Sequence, residues 1–205
     1  MGVHGNMTGK IGNLVYYVRN GQNLVRKIGK TNKPPTEAQL RVRLELKVTV
    51  QFLKPLLEFI NAGFAIKAKG KNKSPYNFAV KYNRKALKGI YPEIEIDYTK
   101  VIVSEGALMG AEGADVEAID DGLRYTWNNT LSNWPDQNDQ VMLLAYFPLE
   151  KKAVYLLAGA KRRVGMQVLF IPQDLRGQPA ETYISFVTED RKNIARSTYV
   201  GQVQV

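Results

Sequence analysis

Three carboxylates in this chain have a spacing that could do chemistry: Glu93, Glu95 and Asp97 alternate with Ile94 and Ile96. Alternate residues of a strand share a face, so the three acids would line one side and could hold a hard cation or divide acid and base roles. The same alternation is what a half-buried strand requires, and the solvent-facing reading takes precedence. Asp136-Gln137-Asn138-Asp139 starts like a calcium loop, but Val141 stands where the sharp turn needs glycine and Phe147 where a bidentate glutamate is needed. Gly70-Lys71-Asn72-Lys73-Ser74 lacks the spacing of a phosphate loop, and Gly106, Gly110 and Gly113 lack that of a dinucleotide-binding turn. With no cysteine, one histidine (His4) and no G-x-S-x-G, thiolate sites, histidine clusters and serine-hydrolase chemistry have nothing to build on. The expectation is a protein that is not an enzyme and takes no cofactor or metal.

A second group points to polyanions. Lys67, Lys69, Lys71 and Lys73 are continued by Lys81, Arg84, Lys85 and Lys88 and interleaved with Tyr76 and Tyr82. That is the composition of a surface that neutralises phosphates and stacks on bases. A solvated helix face beside a tyrosine-rich edge has the same composition, and no nucleic-acid motif accompanies it. The 11 tyrosines suit protein interfaces equally well, because tyrosine buries area while keeping a polar tip. Charge sharpens the contrast between the two halves. The whole chain is +10, yet residues 1–100 carry 19 basic and 6 acidic side chains (+13), leaving 10 and 13 (−3) for residues 101–205.

The elements that must position these residues begin with a hairpin. Residues 9–19 and 22–29 are rich in β-branched and aromatic side chains, and Asn20-Gly21 between them tolerates positive φ at both turn positions. Such a ribbon is marginal alone and must pack on something. Thr36 and Gln39 form a T-x-x-Q capping box, predicting a helix over 37–61 that ends near Gly63, with Pro55 kinking or breaking it. Ser74-Pro75 opens a second helix predicted to end near Lys88, with Gly89 as its stop signal. From Glu93 the period changes to two. Strands are predicted at 94–97, 99–104, 115–118, 122–127, 140–147, 152–158, 163–170, 181–188 and 197–205, separated by turns such as Asp120-Asp121-Gly122 and Asn133-Trp134-Pro135-Asp136.

The expected fold is therefore α+β. Residues 1–92 form a basic region of hairpin and helices, and residues 93–205 an antiparallel β-sandwich of the immunoglobulin or fibronectin type III sort, with Trp127 and Tyr183 as core anchors. The first ten residues hold no apolar stretch of the kind that starts a signal peptide, and the apolar run 48–66 is interrupted by Gln51, Lys54, Pro55, Glu58 and Asn61. These observations predict no membrane span and a cytoplasmic location by default, with a virion-like or extracellular particle as the other setting.

The motifs G-x-x-G-N-x-V-x-Y (9–17), K-P-P-T-E-A-Q (33–39), F-L-K-P-L-L-x-F-I-N-x-G-F (52–64), S-P-Y-N (74–77), Y-P-x-x-E-I-D-Y (91–98), S-E-G-x-L-x-G-A-E (104–112) and S-T-Y-V-G (197–201) come in this order. As a set they resemble an uncharacterised domain-of-unknown-function family of Bacteroidota over nearly the whole chain, and the resemblance implies no activity, cofactor or site. The segment 32–39 with its basic helix also resembles short modules of phage-derived proteins. The functional expectation is a non-enzymatic structural or assembly protein, a homo-oligomer, particle or filament joined through its N-terminal region. Val15, Tyr16, Tyr17, Val18, Leu24 and Val25 would be the assembly residues. The alternative is a nucleic-acid-binding protein using the lysines and arginine of residues 67–88.

Overall fold

The structure, a computed structural model, describes residues 5, 7–30, 32–130 and 137–205. His4 and the turn expected at Asn133-Trp134-Pro135-Asp136 lie outside the described residues. By compactness the chain divides into Met1–Gln39 and Leu40–Val205.

The first unit holds an antiparallel sheet of three strands, β1 (Gly9–Ile11), β2 (Leu14–Arg19) and β3 (Gln22–Lys27), in the order β1-β2-β3. The expected first strand is thus two, because Gly12-Asn13 makes a second tight turn. Thr36 begins α1 (Glu37–Leu53) as its capping box requires: its hydroxyl accepts from the Gln39 N–H at 3.4 Å, and its own N–H donates to the Gln39 side chain at 3.3 Å.

In the second unit, Pro55 interrupts the helix as expected. Proline has no N–H to give and its ring crowds the preceding turn, so Lys54–Leu56 tightens to a single 3-10 turn before α2 (Leu57–Ala68). Gly63 does not end that helix. The backbone of Val103 and Ser104 crosses α2 there, a Cβ would collide with the Val103 carbonyl oxygen, and Glu105 N–H donates to the Gly63 carbonyl at 3.1 Å. The glycine serves a close approach rather than a stop.

The second helix, α3 (Pro75–Asn83), starts where Ser74 Oγ accepts from Asn77 N–H. It is shorter than predicted. After a 3-10 turn at Arg84–Ala86, Leu87 and Lys88, expected to close the helix, instead open β4 (Leu87–Ile90), paired with β5 (Glu93–Ile96). Pairing with β5 overrides a weak helix preference here, and fully buried Asn83 fixes the exit by donating to Ala79 and Ile102 carbonyls and accepting from Ile102 N–H at 2.9 Å. No strand forms at 99–104. Tyr98–Lys100 is a 3-10 turn, and the extended residues after it are held by side chains, among them Ser197 Oγ accepting from Val103 N–H at 2.9 Å.

The remaining strands are β6 (Asp115–Ile119), β7 (Gly122–Thr126), β8 (Gln140–Phe147), β9 (Lys152–Leu156), β10 (Met166–Phe170), β11 (Pro179–Val187) and β12 (Thr198–Gln204). They make a β-sandwich of two antiparallel sheets, β10-β7-β6 and β12-β11-β8-β9. Residues 141–147 and 180–187 are buried without interruption, so the expected alternation fails in the two central strands. The cause is cover on both faces. Val141, Leu143, Ala145, Phe147, Ile184 and Phe186 meet Leu123, Tyr125 and Trp127 of the smaller sheet's side, whereas Met142, Leu144, Tyr146 and Tyr183 meet Phe52, Leu56, Phe59 and Ile60 of the helices. The helices therefore share a core with the sandwich, and the division by compactness, between Gln39 and Leu40, falls within the first turn of α1.

Candidate functional site

The N-terminal sheet is specified locally. Asn20 (φ 51°) and Gly21 (φ 76°) occupy the left-handed region together, the geometry a two-residue turn needs to match strand twist. In the ladder Tyr16 pairs with Val25 and Gly9, Leu14 with Lys27 and Ile11, and Tyr17 with Leu24. Directly paired residues share a face. One face thus carries Ile11, Leu14, Tyr16, Val18 and Val25 with Asn23 and Lys27, and the other Val15, Tyr17 and Leu24 among Lys10, Arg19 and Arg26. The six expected assembly residues divide between the faces, three on each, and the charges concentrate on the second. No residue of the three strands is buried, and on the first face Ile11 is 61% and Val25 54% exposed.

A second apolar surface escaped the sequence reading. Val42, Leu46 and Val50 stand at four-residue intervals on α1 and remain exposed, opposite the stripe of Leu40, Leu44 and Val48. The four-residue interval is a helical repeat in the sequence, and it marks a second apolar stripe on the same helix.

The basic stretch is divided by the fold. Lys67 closes α2, Lys69, Lys71 and Lys73 occupy the turn ahead of α3, Lys81, Arg84 and Lys85 lie at its far end, and Lys88 is on β4. Arg84 is already paired with Glu45 at 2.9 Å, and Glu45 also binds Arg41 at 3.0 Å; Arg84 first and Arg41 second hold the Glu45 carboxyl below its usual range. Lys71 Nζ sits 5.5 Å from the Phe78 ring centre. The seven lysines of the set form no ion pair among the described residues.

The three carboxylates do not converge. Glu93 and Glu95 are exposed on β5, with Glu95 opposite Lys88, while Asp97 binds Lys100 at 2.8 Å and the Thr99 hydroxyl at 2.6 Å, which hold its pKa at about 2. Among the described residues no group of three or more His, Cys, Asp or Glu could hold a metal ion. No helix among them is long and apolar enough to cross a membrane.

A carboxylate the sequence reading passed over is Glu181, on the buried strand β11. It accepts from Tyr199 Oη at 2.7 Å and from Gln202 Nε2 at 2.8 Å and is only 4% exposed. Burial pushes the hydroxyls of Tyr98, Tyr183 and Tyr199 upward from the usual tyrosine range, and the Glu181 charge adds to each. A cavity of about 520 Å³ opens beside it.

Against known proteins, a family model described as "Family of unknown function (DUF6266)" matches residues 6–201. No curated protein and no solved structure matches the chain.

Proposed function

We propose, for a chain that belongs to this family of unknown function, a non-enzymatic structural role: it self-associates, into a particle or filament, through its N-terminal sheet. The observation that carries the reading is the face of Ile11, Leu14, Tyr16, Val18 and Val25, apolar but for Asn23 and Lys27 on β3 and buried nowhere. A sheet this small has no core of its own, so its apolar face gains stability by covering a like face. The sheet edges at β1 and β3 add unpaired backbone groups that recruit strands by augmentation. A second copy is the fitting occupant because isologous pairing places apolar face on apolar face while the cationic faces turn outward, away from each other. The exposed stripe Val42, Leu46 and Val50 is a further contact of the same kind. The strand order β10-β7-β6 and β12-β11-β8-β9 supports a fibronectin-like module as the body that the N-terminal unit joins into arrays.

Light scattering on the full chain over a range of concentrations tests this. The parent protein should form dimers or larger species, and Ile11→Lys with Val25→Lys should return it to monomer without loss of fold. A parent protein that stays monomeric at high concentration, or a double variant that still assembles, overturns the reading.

The exposed and unpaired lysines of residues 67–88 support a second reading, binding of nucleic acid by neutralisation of phosphates. Replacing Lys69, Lys71, Lys73 and Lys85 by alanine should make the dependence of log affinity on log salt shallower by roughly 0.9 for each duplex DNA phosphate that is no longer neutralised. Absence of binding by the parent protein at low salt removes this reading.

A further inference from the structure

The cavity beside Glu181 brings together residues from distant parts of the chain. Phe52 comes from α1, Lys88 from β4, Tyr98 from the 3-10 turn, Tyr146 from β8 and Glu181 from β11, with Lys151 at the turn between β8 and β9. Three of them form a wall of rings. Phe52 lies 4.9 Å from Tyr146 and 6.0 Å from Tyr98, and Tyr98 lies 5.9 Å from Tyr146, centre to centre. At about 520 Å³ the space is within the usual range for small-molecule clefts.

Its charges are ordered by depth. Glu181 is almost fully buried, and its two hydrogen bonds come from neutral donors, a phenol and an amide. No lysine or arginine pairs with it among the described residues. Two neutral hydrogen bonds compensate a buried carboxylate only in part, so the site favours a cation beside it. The faces of the neighbouring aromatic rings attract the same charge. Exposed charges of both signs line the same cavity, Lys88 and Lys151 and, beside Lys88, Glu95. Lys88 faces Glu95 across the β4–β5 ladder, which offsets its charge, and Lys151 forms no ion pair among the described residues. Lys151 also holds a left-handed backbone (φ 53°), where glycine or asparagine is the usual occupant. A buried anion, an aromatic wall and an exposed cation form a template for a molecule with the reverse order of charges.

We propose that this cleft binds a small zwitterion of the amino-acid class, its ammonium group against Glu181 and its carboxylate at Lys151. The rings of Phe52, Tyr98 and Tyr146 cover its aliphatic part. This site is separate from the N-terminal sheet, and its occupancy does not require self-association.

Isothermal titration of the full chain with γ-aminobutyrate, leucine, butylammonium and butyrate tests the assignment. At least one zwitterion should bind saturably and about tenfold or more tighter than butylammonium or butyrate, the gain expected of one additional charge-assisted hydrogen bond. Glu181→Gln should weaken that binding by about tenfold or more, with folding checked by circular dichroism. Lys151→Ala alters only an exposed turn residue and should lower zwitterion affinity to that of butylammonium; it decides the matter even where Glu181→Gln does not fold. The proposal is overturned if neither zwitterion binds at millimolar concentration, if butyrate binds as tightly as the zwitterions, or if Lys151→Ala leaves their affinity unchanged.

Discussion

Two antiparallel sheets in this protein are built from similar residues and meet opposite fates. The four-stranded sheet β12-β11-β8-β9 has helices on one face and the three-stranded sheet β10-β7-β6 on the other, and its central strands are buried at every residue but their first. The N-terminal sheet β1-β2-β3 carries valine, leucine and tyrosine as well, yet none of its residues is buried. Strand-forming residues alone do not decide which sheet becomes a core. Cover does, since the gain comes from apolar area removed from water, at about 1.5–3 kcal/mol for each large side chain fully buried. The four-stranded sheet uses its apolar residues for folding; the N-terminal sheet leaves its own exposed or half-buried.

The hardest test of this contrast lies in the covered region. Arg162 is 2% exposed, donates to the carbonyls of Met109 (2.7 Å) and Gly110 (3.0 Å), pairs with Asp139 at 3.2 Å and lies 3.6 Å over the Phe186 ring. Burial pulls its guanidinium down to about 10, against the favourable Asp139 charge. Its carbonyl accepts from Trp127 Nε1 at 2.6 Å, so one residue ties the segment before β6 to both sheets. Arg162→Ala should cost about 3–5 kcal/mol by leaving Asp139 buried without its cation. Urea unfolding that shows less than about 1 kcal/mol would mean the sandwich is less tightly specified than its burial indicates.

Alkaline pH should act on the same region. Tyr155 of β9 donates to Glu58 of α2 at 2.5 Å, joining the helix layer to the sheet, and this bond, helped by burial, raises its pKa from 10.0 to about 12. A folded-state value above the unfolded one means that the folded state holds the proton longer. The contribution is therefore complete below pH 10 and lost as pH rises through about 12. Stability measured by denaturant titration should fall across that window, and Tyr155→Phe should make the fall shallower. An equally steep fall in the variant would assign the effect to other tyrosines.

The start of α1 gives a smaller effect. Thr36→Ala removes the acceptor for the Gln39 N–H and should cost about 1 kcal/mol, read as a shift in the urea midpoint. The smallest effect is expected in the uncovered sheet. Val25→Thr should change folding stability by no more than about 0.5 kcal/mol, because the side chain is already half exposed, while weakening self-association measured by light scattering. A folding cost of several kcal/mol at Val25 would place that sheet in a core and erase the contrast.

Much of the local structure was legible because it depends on neighbours in sequence. The Asn20-Gly21 turn, the Thr36 and Ser74 caps and the break at Pro55 all follow from backbone geometry within four residues, and they stand where they were read. Eight of the nine predicted strands after residue 92 have counterparts for the same reason, since short apolar runs between turn residues have few alternatives. The errors arose where a distant partner outweighed a local preference. Gly63 carries a helix-stop signal, but Val103 crosses the helix at that point; Leu87 and Lys88 continue the helical pattern, but β5 pairs with them.

By itself, then, the sequence determined most of the element types, the α+β class, the asymmetry of charge and the lack of cysteine. Only the tertiary structure decided which faces are covered. It put Arg162 with Asp139 and Phe186, placed Val42, Leu46 and Val50 outside, and gathered Phe52, Tyr98, Tyr146, Lys151 and Glu181 around one cavity. Side-chain period states that a residue has a side, but what lies on that side is set by packing among segments tens of residues apart, and no local pattern encodes it.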